Sequence, residues 1–254
     1  MSGHSKWANI KHKKAKADAE KGKVFTKVAR EIIVAARQGG GDPDANFKLR
    51  MAIEKARSVN MPNDSIMRAI KRGVGAAEGD QNYEQISYEG YGPGGVAILL
   101  DVLTDNRNRA ASDIRHIFAR HGGNLGEAGC VAWMFDRRGV ISIDLKAAKK
   151  SEDDLMVLAA DAGAIDLKMN GDTAEIVTTP EDFEKVRERM EAEGLKPVEA
   201  EITMVPKTTV TVTGKEARQL LELIESLEDH DDVSQVYANF DIPDEEMERI
   251  AEAR

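Results

Sequence analysis

Residues 139–205 read GVISIDLKAAKKSEDDLMVLAADAGAIDLKMNGDTAEIVTTPEDFEKVRERMEAEGLKPVEAEITMV, and this stretch carries the clearest succession of secondary-structure signals in the chain. Its Asn170-Gly171 pair is a strong signal for a two-residue hairpin turn. The TPED sequence at 179–182 is typical of a helix start, and Gly194 marks the end of that helix. Apolar periodicity places the other elements as strand 139–144, helix 152–161, strands 164–169 and 173–178, and strand 197–205. The resulting order, β-α-β-β-α-β, predicts a ferredoxin-like α+β domain.

The segments on either side of this unit each predict half of a second one. Residues 96–135 show a strand, a helix and a strand, and residues 208–239 show the same succession. The DRRG sequence at 136–139 predicts a turn where the outer unit gives way to the inner one. Joined together, the two halves make a second ferredoxin-like unit that the first one interrupts.

Residues 1–78 follow a different pattern and predict a small helical domain. The first twenty residues show no apolar periodicity and are interpreted as a flexible basic arm. Three amphipathic helices follow, one at 21–38, one after Asp42-Pro43 and one after Asn63. The predicted fold class is therefore α+β and multidomain, with an N-terminal three-helix bundle followed by two ferredoxin-like α+β domains, one inserted in the other. The predicted domains are 1–78, 79–136 plus 207–254, and 137–206.

Charge is distributed very unevenly along the chain. Residues 1–75 contain 17 Lys and Arg against 7 Asp and Glu, which gives +10. The remaining 19 basic and 38 acidic residues give −19. Basic domains attract phosphate backbones and acidic surfaces are repelled by them. The asymmetry predicts that the N-terminal domain contacts nucleic acid, although a charge run by itself is equally compatible with an ordinary solvated surface.

The candidate nucleic-acid contacts are basic side chains that helical periodicity turns away from the bundle core. In the first helix, Phe25 and Ile32 fall on the apolar face and the basic residues on the opposite one. Trp7 in the arm is ambiguous, because it would either stack on a base or pack onto the bundle. The predicted contacts are Lys6, Trp7, Lys11, Lys13, Lys14 and Lys16 in the arm, Lys23, Lys27, Arg30 and Arg37 in the first helix, and Arg68, Lys71 and Arg72 in the third.

A second phosphate contact is predicted at Arg107 and Arg109, in the polar TDNRNR sequence at 104–109. The simpler interpretation of this sequence is a helix cap followed by exposed arginines, and it is favoured over the functional one. A competing hypothesis places nucleic-acid binding entirely on the α+β domains, through these two arginines together with Arg137 and Arg138.

Nothing in the sequence indicates catalysis, so we expect no enzyme, no cofactor, no metal site and no small-molecule substrate. The GYGPGG sequence at 90–95 precedes a strand and contains a proline, whereas a dinucleotide fingerprint follows a strand and opens a helix. The five histidines show no zinc-ligand spacing. The single cysteine, Cys130, is in keeping with a reducing compartment, and no signal peptide or membrane span is indicated. We therefore expect a cytoplasmic protein.

Four segments carry a resemblance to a known family. They are SGHSKWANIKHKK at 2–14, NMPN at 60–63 followed by IKRG at 70–73, YEGYGPGG at 88–95, and TDNRNR at 104–109. The chain resembles the YebC/PmpR family over essentially its whole length, and the opening motif is very specific. The resemblance implies three domains and a bacterial cytoplasmic protein of the kind customarily described as a probable transcriptional regulatory protein that binds DNA. It supplies no catalytic residues.

The expected function is accordingly that of a nucleic-acid-binding regulator of gene expression, with DNA-directed transcriptional regulation placed first. Other family members, including a mitochondrial translational activator, are tied to translation on the ribosome or at proline-rich nascent chains. The alternative is therefore a ribosome- or RNA-associated translation factor, since DNA and RNA both present phosphates to lysines. An alternative of another class is a protein-interaction scaffold, which would require a large exposed apolar patch on the ferredoxin-like domains.

Overall fold

The structure is a computed structural model that describes residues 19–75, 83–148, 150–170 and 172–252. Its first part is a bundle of three helices, α1 (Ala19–Gly39), α2 (Phe47–Ser58) and α3 (Asn63–Val74). The periodicity of the sequence is confirmed, because the predicted apolar faces form one buried cluster that includes Ile32, Leu49, Ile53, Ile66 and Ile70. Both α2 and α3 pack mainly against α1, which is therefore the central helix of the bundle.

The start of α2 was predicted wrongly. Asn46, and not Asp42, is its N-cap, since the Asn46 Oδ1 atom accepts a hydrogen bond from the Leu49 amide at 3.1 Å. The buried Asn46 amide nitrogen also donates to the carbonyls of Ala35 and Gly40, each at 2.8 Å. These two carbonyls lie at the end of α1, where backbone acceptors lose their helical partners. One side chain therefore joins the end of α1 to the start of α2, which is why the cap lies four residues later than the Asp-Pro signal suggested.

Close contact between α1 and α3 depends on Gly73. A Cβ atom at Gly73 would lie 2.5 Å from the carbonyl oxygen of Ile33 and 2.7 Å from the Cβ of Ala36. These separations are shorter than van der Waals contact, so only glycine fits the crossing of the two helices at this point.

The elements of the second part are β1 (Glu84–Tyr91), a 3-10 turn (Pro93–Gly95), β2 (Ala97–Thr104), α4 (Arg107–Arg120), β3 (Asn124–Leu125), α8 (Gly214–Glu228) and β9 (Val233–Ala238). Its four strands form an antiparallel sheet of order β3-β1-β2-β9. The helices α4 and α8 supply most of the core that covers it, with Ile114, Phe118, Leu220 and Ile224 fully buried.

This sheet corrects two strands of the sequence prediction. The strand expected at the end of 96–135 is absent there, because residues 132–134 form a 3-10 turn, and β3 takes its place at the sheet edge. The position expected for 208–213 is filled by β1, which was not predicted because most of its side chains are polar and only Glu89 and Gly90 are buried. The expected strand shrinks to β8 (Val210–Thr211), which pairs in parallel with β10 (Phe240–Asp241) outside the main sheet. The sheet therefore keeps the ferredoxin-like arrangement while taking two of its strands, β1 and β3, from earlier points in the chain.

The elements of the third part are β4 (Phe135–Asp144), α5 (Leu145–Ala148), α6 (Glu152–Ala162), β5 (Asp166–Asn170), β6 (Thr173–Thr178), α7 (Phe183–Ala192) and β7 (Pro197–Pro206), and the helix α9 (Asp244–Glu252) ends the described chain. Its strands form a ferredoxin-like sheet of order β5-β6-β4-β7, antiparallel throughout. Met190 and Phe183 of α7 and Leu155 of α6 are buried in the core that covers it. The predicted fold class is confirmed.

The turn expected at 136–139 does not exist, because β4 runs through it without a break. Arg137 and Arg138 pair with Met204 and Thr203 in the β4–β7 ladder. Gly139 is explained by packing, since a Cβ there would lie 2.3 Å from the Thr178 Oγ1 atom. A glycine required for close approach was mistaken for a turn residue.

Both α+β parts contact the bundle. Phe47 and Met51 of α2 pack against the core of the inserted part, and Glu54 binds Arg187 of α7 at 2.7 Å. The acidic segment, defined as residues 228–232 (EDHDD), runs from the last residue of α8 to the start of β9 and contacts α1. Within the described ranges, no helix is both long enough and apolar enough to cross a bilayer.

Candidate nucleic-acid interface

The outward face of α3 presents the basic residues that the sequence assigned to it. Arg68, Lys71 and Arg72 are all exposed, on the side of the helix away from buried Ile66 and Ile70. The Arg68 guanidinium bonds within its own helix, to the Asp64 carbonyl at 3.2 Å and the Ser65 hydroxyl at 3.1 Å. These bonds orient the guanidinium without neutralising it, because neither acceptor is charged.

Two apolar side chains interrupt the basic face of α3. Met67 is 53% exposed and Val74 is 56% exposed, and both share their helix face with Lys71. The spacing of 67, 71 and 74 puts the three side chains on adjacent turns of one face. A surface that mixes cations with exposed apolar groups can contact both a phosphate and the sugar or base attached to it.

Only half of the basic stripe of α1 faces solvent as predicted, since Lys23 and Arg37 are exposed but Lys27 and Arg30 are partly buried. Lys27 donates a hydrogen bond from Nζ to the carbonyl of Glu228, and Arg30 donates to the Asp231 carbonyl at 2.7 Å. Arg30 also forms an ion pair with the Asp232 carboxylate at 3.1 Å. The stripe is turned away from the bundle core, as the periodicity indicated, but the acidic segment covers Lys27 and Arg30 there.

Lys27 closes the C-terminal end of α8. Carbonyl groups at a helix end lack intrahelical partners and carry partial negative charge, so an ammonium group is favourable there. Burial lowers the pKa of Lys27 to about 8, although the carboxylates of Asp229, Asp231 and Glu228 act to raise it. The cost of removing the ammonium from water therefore exceeds the gain from its acidic neighbours.

Asp232 is the centre of a buried network that joins α1 to the second part of the chain. Its carboxylate accepts hydrogen bonds from the Thr104 hydroxyl at 2.9 Å and from Arg109 at 2.9 Å, and it pairs with Arg30. Burial raises the pKa of Asp232, but the bonds from Arg109 and Thr104 and the two guanidinium charges outweigh it and hold the pKa below its usual range. Asp232 is thus ionised near neutral pH.

Arg109 and Arg107 have different roles in the structure. Arg109 is held by Asp105 at 2.7 Å and by Asp232, and Asn106 caps α4 by accepting from the Arg109 amide at 3.1 Å. The structure thus confirms the helix-cap interpretation of TDNRNR, with Asn106 as the cap and the Arg109 amide as its donor. The side chain of Arg107 is exposed. Of the competing residues, Arg138 pairs with Asp136 at 3.0 Å, and Arg137 is exposed.

A cavity of about 530 Å³ opens between α1 and the acidic segment. Its lining is mainly polar and mixes both signs of charge, with Lys23, Arg30 and Arg109 beside Asp105, Asp113, Asp229, Asp231 and Asp232, together with Tyr83 and His230. Cofactor and substrate pockets are mostly apolar. The cavity is better described as an open seam between charged surfaces. The arm residues Lys6, Trp7, Lys11, Lys13, Lys14 and Lys16 lie outside the described residues, and Arg37 is exposed at the end of α1.

Sequence reasoning missed a second feature, the loop 126–134. The buried Glu89 carboxylate accepts hydrogen bonds from the backbone amides of Gly129 at 2.6 Å and of Val131 and Ala132 at 2.7 Å each. Burial raises the pKa of Glu89, but these three bonds outweigh it and hold the pKa below its usual range. The loop presents Trp133, which is 64% exposed. An isolated Glu in a polar strand gives no sequence signal of this role.

The lowered pKa of Lys27 makes stability depend on pH. The unfolded lysine titrates near its ordinary value of 10.5, so between about pH 8 and that value the unfolded chain binds more protons than the folded one. The free energy of unfolding should rise with pH over this window, by about 1–2 kcal/mol after allowance for solvent screening. Urea denaturation of Lys27→Met should lack that rise. Lys23→Met, one turn earlier and exposed, should keep it, and equal slopes in the two variants would contradict the assignment.

Two family models match the chain, one over the helical bundle and one over the two α+β parts. The model described as "TACO1/YebC protein N-terminal domain" matches residues 5–76, and the model described as "TACO1/YebC second and third domain" matches residues 83–240. The chain belongs to the TACO1/YebC family. The YebC/PmpR resemblance of the sequence motifs is thereby confirmed, and the family description divides the chain near the end of α3.

Similar proteins within the TACO1/YebC family match along nearly the whole chain. A "Probable transcriptional regulatory protein" of Natranaerobius thermophilus is 61% identical over 249 residues, which cover 98% of this chain and 99% of the relative. One of the same name from Syntrophobacter fumaroxidans is 60% identical over 252 residues, covering 99% and 100%. The crystal structure of a conserved hypothetical protein from Aquifex aeolicus superposes with a TM-score of 0.83 at 48% identity, covering 94% of this chain and 98% of that one.

Proposed function

We propose that this protein is a non-catalytic, cytoplasmic regulator of gene expression that binds nucleic acid, with α3 as its principal described contact. The observation that carries the proposal is the outward face of α3, where Arg68, Lys71 and Arg72 are exposed together. Residues 1–75 carry +10 while the rest of the chain carries −19, so phosphates are drawn to the N-terminal region and repelled elsewhere. Electrostatic attraction of this kind supplies most of non-specific nucleic-acid binding.

Transcriptional regulation through DNA is placed first, because the similar proteins are named as probable transcriptional regulatory proteins. The exposed Met67 and Val74 support a contact that reaches past the phosphates, since apolar side chains meet thymine methyl groups in the major groove. Crosslinking in cells followed by sequencing of bound DNA and bound RNA together tests the choice. Enrichment of promoter DNA would support it, and enrichment of ribosomal RNA would replace it with a role in translation.

Neutralising the face of α3 should weaken binding in vitro. The variant Arg68→Gln/Lys71→Gln/Arg72→Gln should bind a short fluorescein-labelled DNA duplex about tenfold more weakly, and its salt dependence should flatten by roughly one unit for each lost phosphate contact. The measurement is fluorescence anisotropy over a series of salt concentrations. Because phosphate contacts position without specifying, the loss should be similar for unrelated sequences.

A matched control makes the same change of charge on the α+β parts. Arg107→Gln/Arg115→Gln/Arg137→Gln removes three exposed cations and includes two residues of the competing hypothesis. This control should change the affinity by less than about twofold, since its side chains lie within the acidic part of the chain. If the control loses binding and the α3 variant keeps it, the contact surface lies on the α+β domains and the proposal for α3 is wrong.

A further inference from the structure

The side chains by which α1 binds the acidic segment, Lys27 and Arg30, are of the kind that bind phosphate groups. The Lys27 ammonium donates a hydrogen bond to the Glu228 carbonyl. The Arg30 guanidinium donates to the Asp231 carbonyl and pairs with the Asp232 carboxylate. Ammonium and guanidinium groups bind phosphate oxygens through the same charge-assisted hydrogen bonds. While these contacts hold, two of the four cations predicted on α1 are not available to a nucleic acid.

We infer that the acidic segment is a built-in competitor of nucleic acid, which covers the basic face of α1 and is displaced by a phosphate backbone. The inference rests on the proposed function, and it adds a regulated state to the same surface. Nucleic acid meets α3 in the closed protein and gains Lys27 and Arg30 only when the segment leaves α1.

Charge complementarity supports the competition. The segment is EDHDD, with four carboxylates in five residues, and it follows the negative C-terminal end of α8. Asp229 and Asp231 are exposed, and their charges act on Lys27. The segment therefore offers α1 a short array of oxygens and negative charge, as a phosphate backbone does.

The closed state is held weakly enough to open. Burial of the Lys27 ammonium outweighs the attraction of its acidic neighbours, so this contact adds little net stability near neutral pH. The polar cavity beside it, with Lys23 on one wall and Asp229 on the other, admits water to the seam. When Arg30 leaves, the Asp232 carboxylate still accepts hydrogen bonds from Thr104 and Arg109. Separation of the segment from α1 therefore leaves the buried Asp232 charge paired.

Weakening the acidic segment should strengthen nucleic-acid binding. Asp229→Asn/Asp231→Asn in the full chain removes two exposed charges that face α1 and leaves the buried Asp232 network intact. We expect this variant to bind a short fluorescein-labelled DNA duplex about fivefold to tenfold more tightly, with a steeper salt dependence because Lys27 and Arg30 now contact phosphates. The control Glu188→Gln/Glu199→Gln makes the same change of net charge on exposed positions of the inserted part and should stay within about twofold of wild type.

Hydrogen exchange gives a second measurement that does not depend on affinity. Saturating the wild-type protein with the duplex should raise amide exchange in residues 228–233, because displacement frees the Glu228 and Asp231 carbonyls and loosens the segment. Equal affinity of the two double variants, or exchange in 228–233 that slows on binding, would overturn the competition while leaving the proposed function standing. If no form of the protein binds the duplex or ribosomal RNA, the proposed function and the competition both fail.

Discussion

Gly73→Val should disrupt the three-helix bundle. A side chain at this position meets the Ile33 carbonyl at 2.5 Å and the Ala36 Cβ at 2.7 Å, and both belong to the backbone or its first carbon, so no rotamer change relieves the clash. We expect α1 and α3 to separate at a cost of at least about 3 kcal/mol, because overpacking that displaces backbone lies at the upper end of such effects. Hydrogen exchange of the amides in α1 and α3 measures the loss directly.

Gly22→Val is the matched control for this variant. Gly22 also lies within a helix, but a Cβ there has no atom within 4 Å. Since valine is a better helix former than glycine, the control should leave the bundle unchanged or slightly stabilised. The Gly73 variant should also bind nucleic acid poorly, because α3 loses the support of α1. Normal exchange in α1 and α3 of Gly73→Val would show that the helices do not cross as closely as described.

Glu89→Gln should release the loop 126–134, the second large effect. The carboxylate accepts three backbone hydrogen bonds with two oxygens, whereas glutamine keeps one oxygen and turns an NH2 group toward a backbone donor. Leaving a buried amide without an acceptor, opposite another donor, should cost roughly 2–4 kcal/mol. The emission of Trp133 reports the loop, and a Trp7→Phe background removes the only other tryptophan.

Acid should produce the same release in the wild-type protein. The folded pKa of Glu89 lies below its ordinary value, so its contribution to stability is complete above that value and is lost as the pH falls through the folded pKa. Glu84→Gln, on an exposed position of the same strand, should leave both the emission of Trp133 and its acid transition unchanged. Identical acid transitions in the two variants would show that Glu89 does not hold the loop.

The fold was predictable where local signals and global packing agree. The Asn-Gly hairpin and the helix after 179–182 decided the inserted ferredoxin-like part from the sequence alone. The failures at β1 and β4 have one cause, since both depend on neighbours that are distant in the chain. Polar β1 becomes a central strand because β2 and β3 flank it, and Gly139 is fixed by Phe183 and Thr178.

The candidate site was predictable to the same degree. Helical periodicity correctly predicted that Arg68, Lys71 and Lys27 point away from the bundle core. It carries no information about what a second domain places there, and the partners of Lys27 and Arg30 lie about 200 residues later in the chain. Exposure of α3 and occlusion of α1 could not be distinguished by helix geometry alone.

The inserted part also determines the order in which the chain can fold during synthesis. Strand β2 has β1 on one side from the start, but its other neighbour, β9, begins at Val233. Every strand of the inserted sheet precedes residue 207, and β9 follows it. The inserted part can therefore emerge and fold while β2 of the enclosing sheet still lacks its neighbour β9. An unpaired strand edge invites aggregation, and closing it is delayed by the whole length of the insertion. The acidic segment directly precedes β9, so the contact with α1 forms in the same late step that completes the sheet.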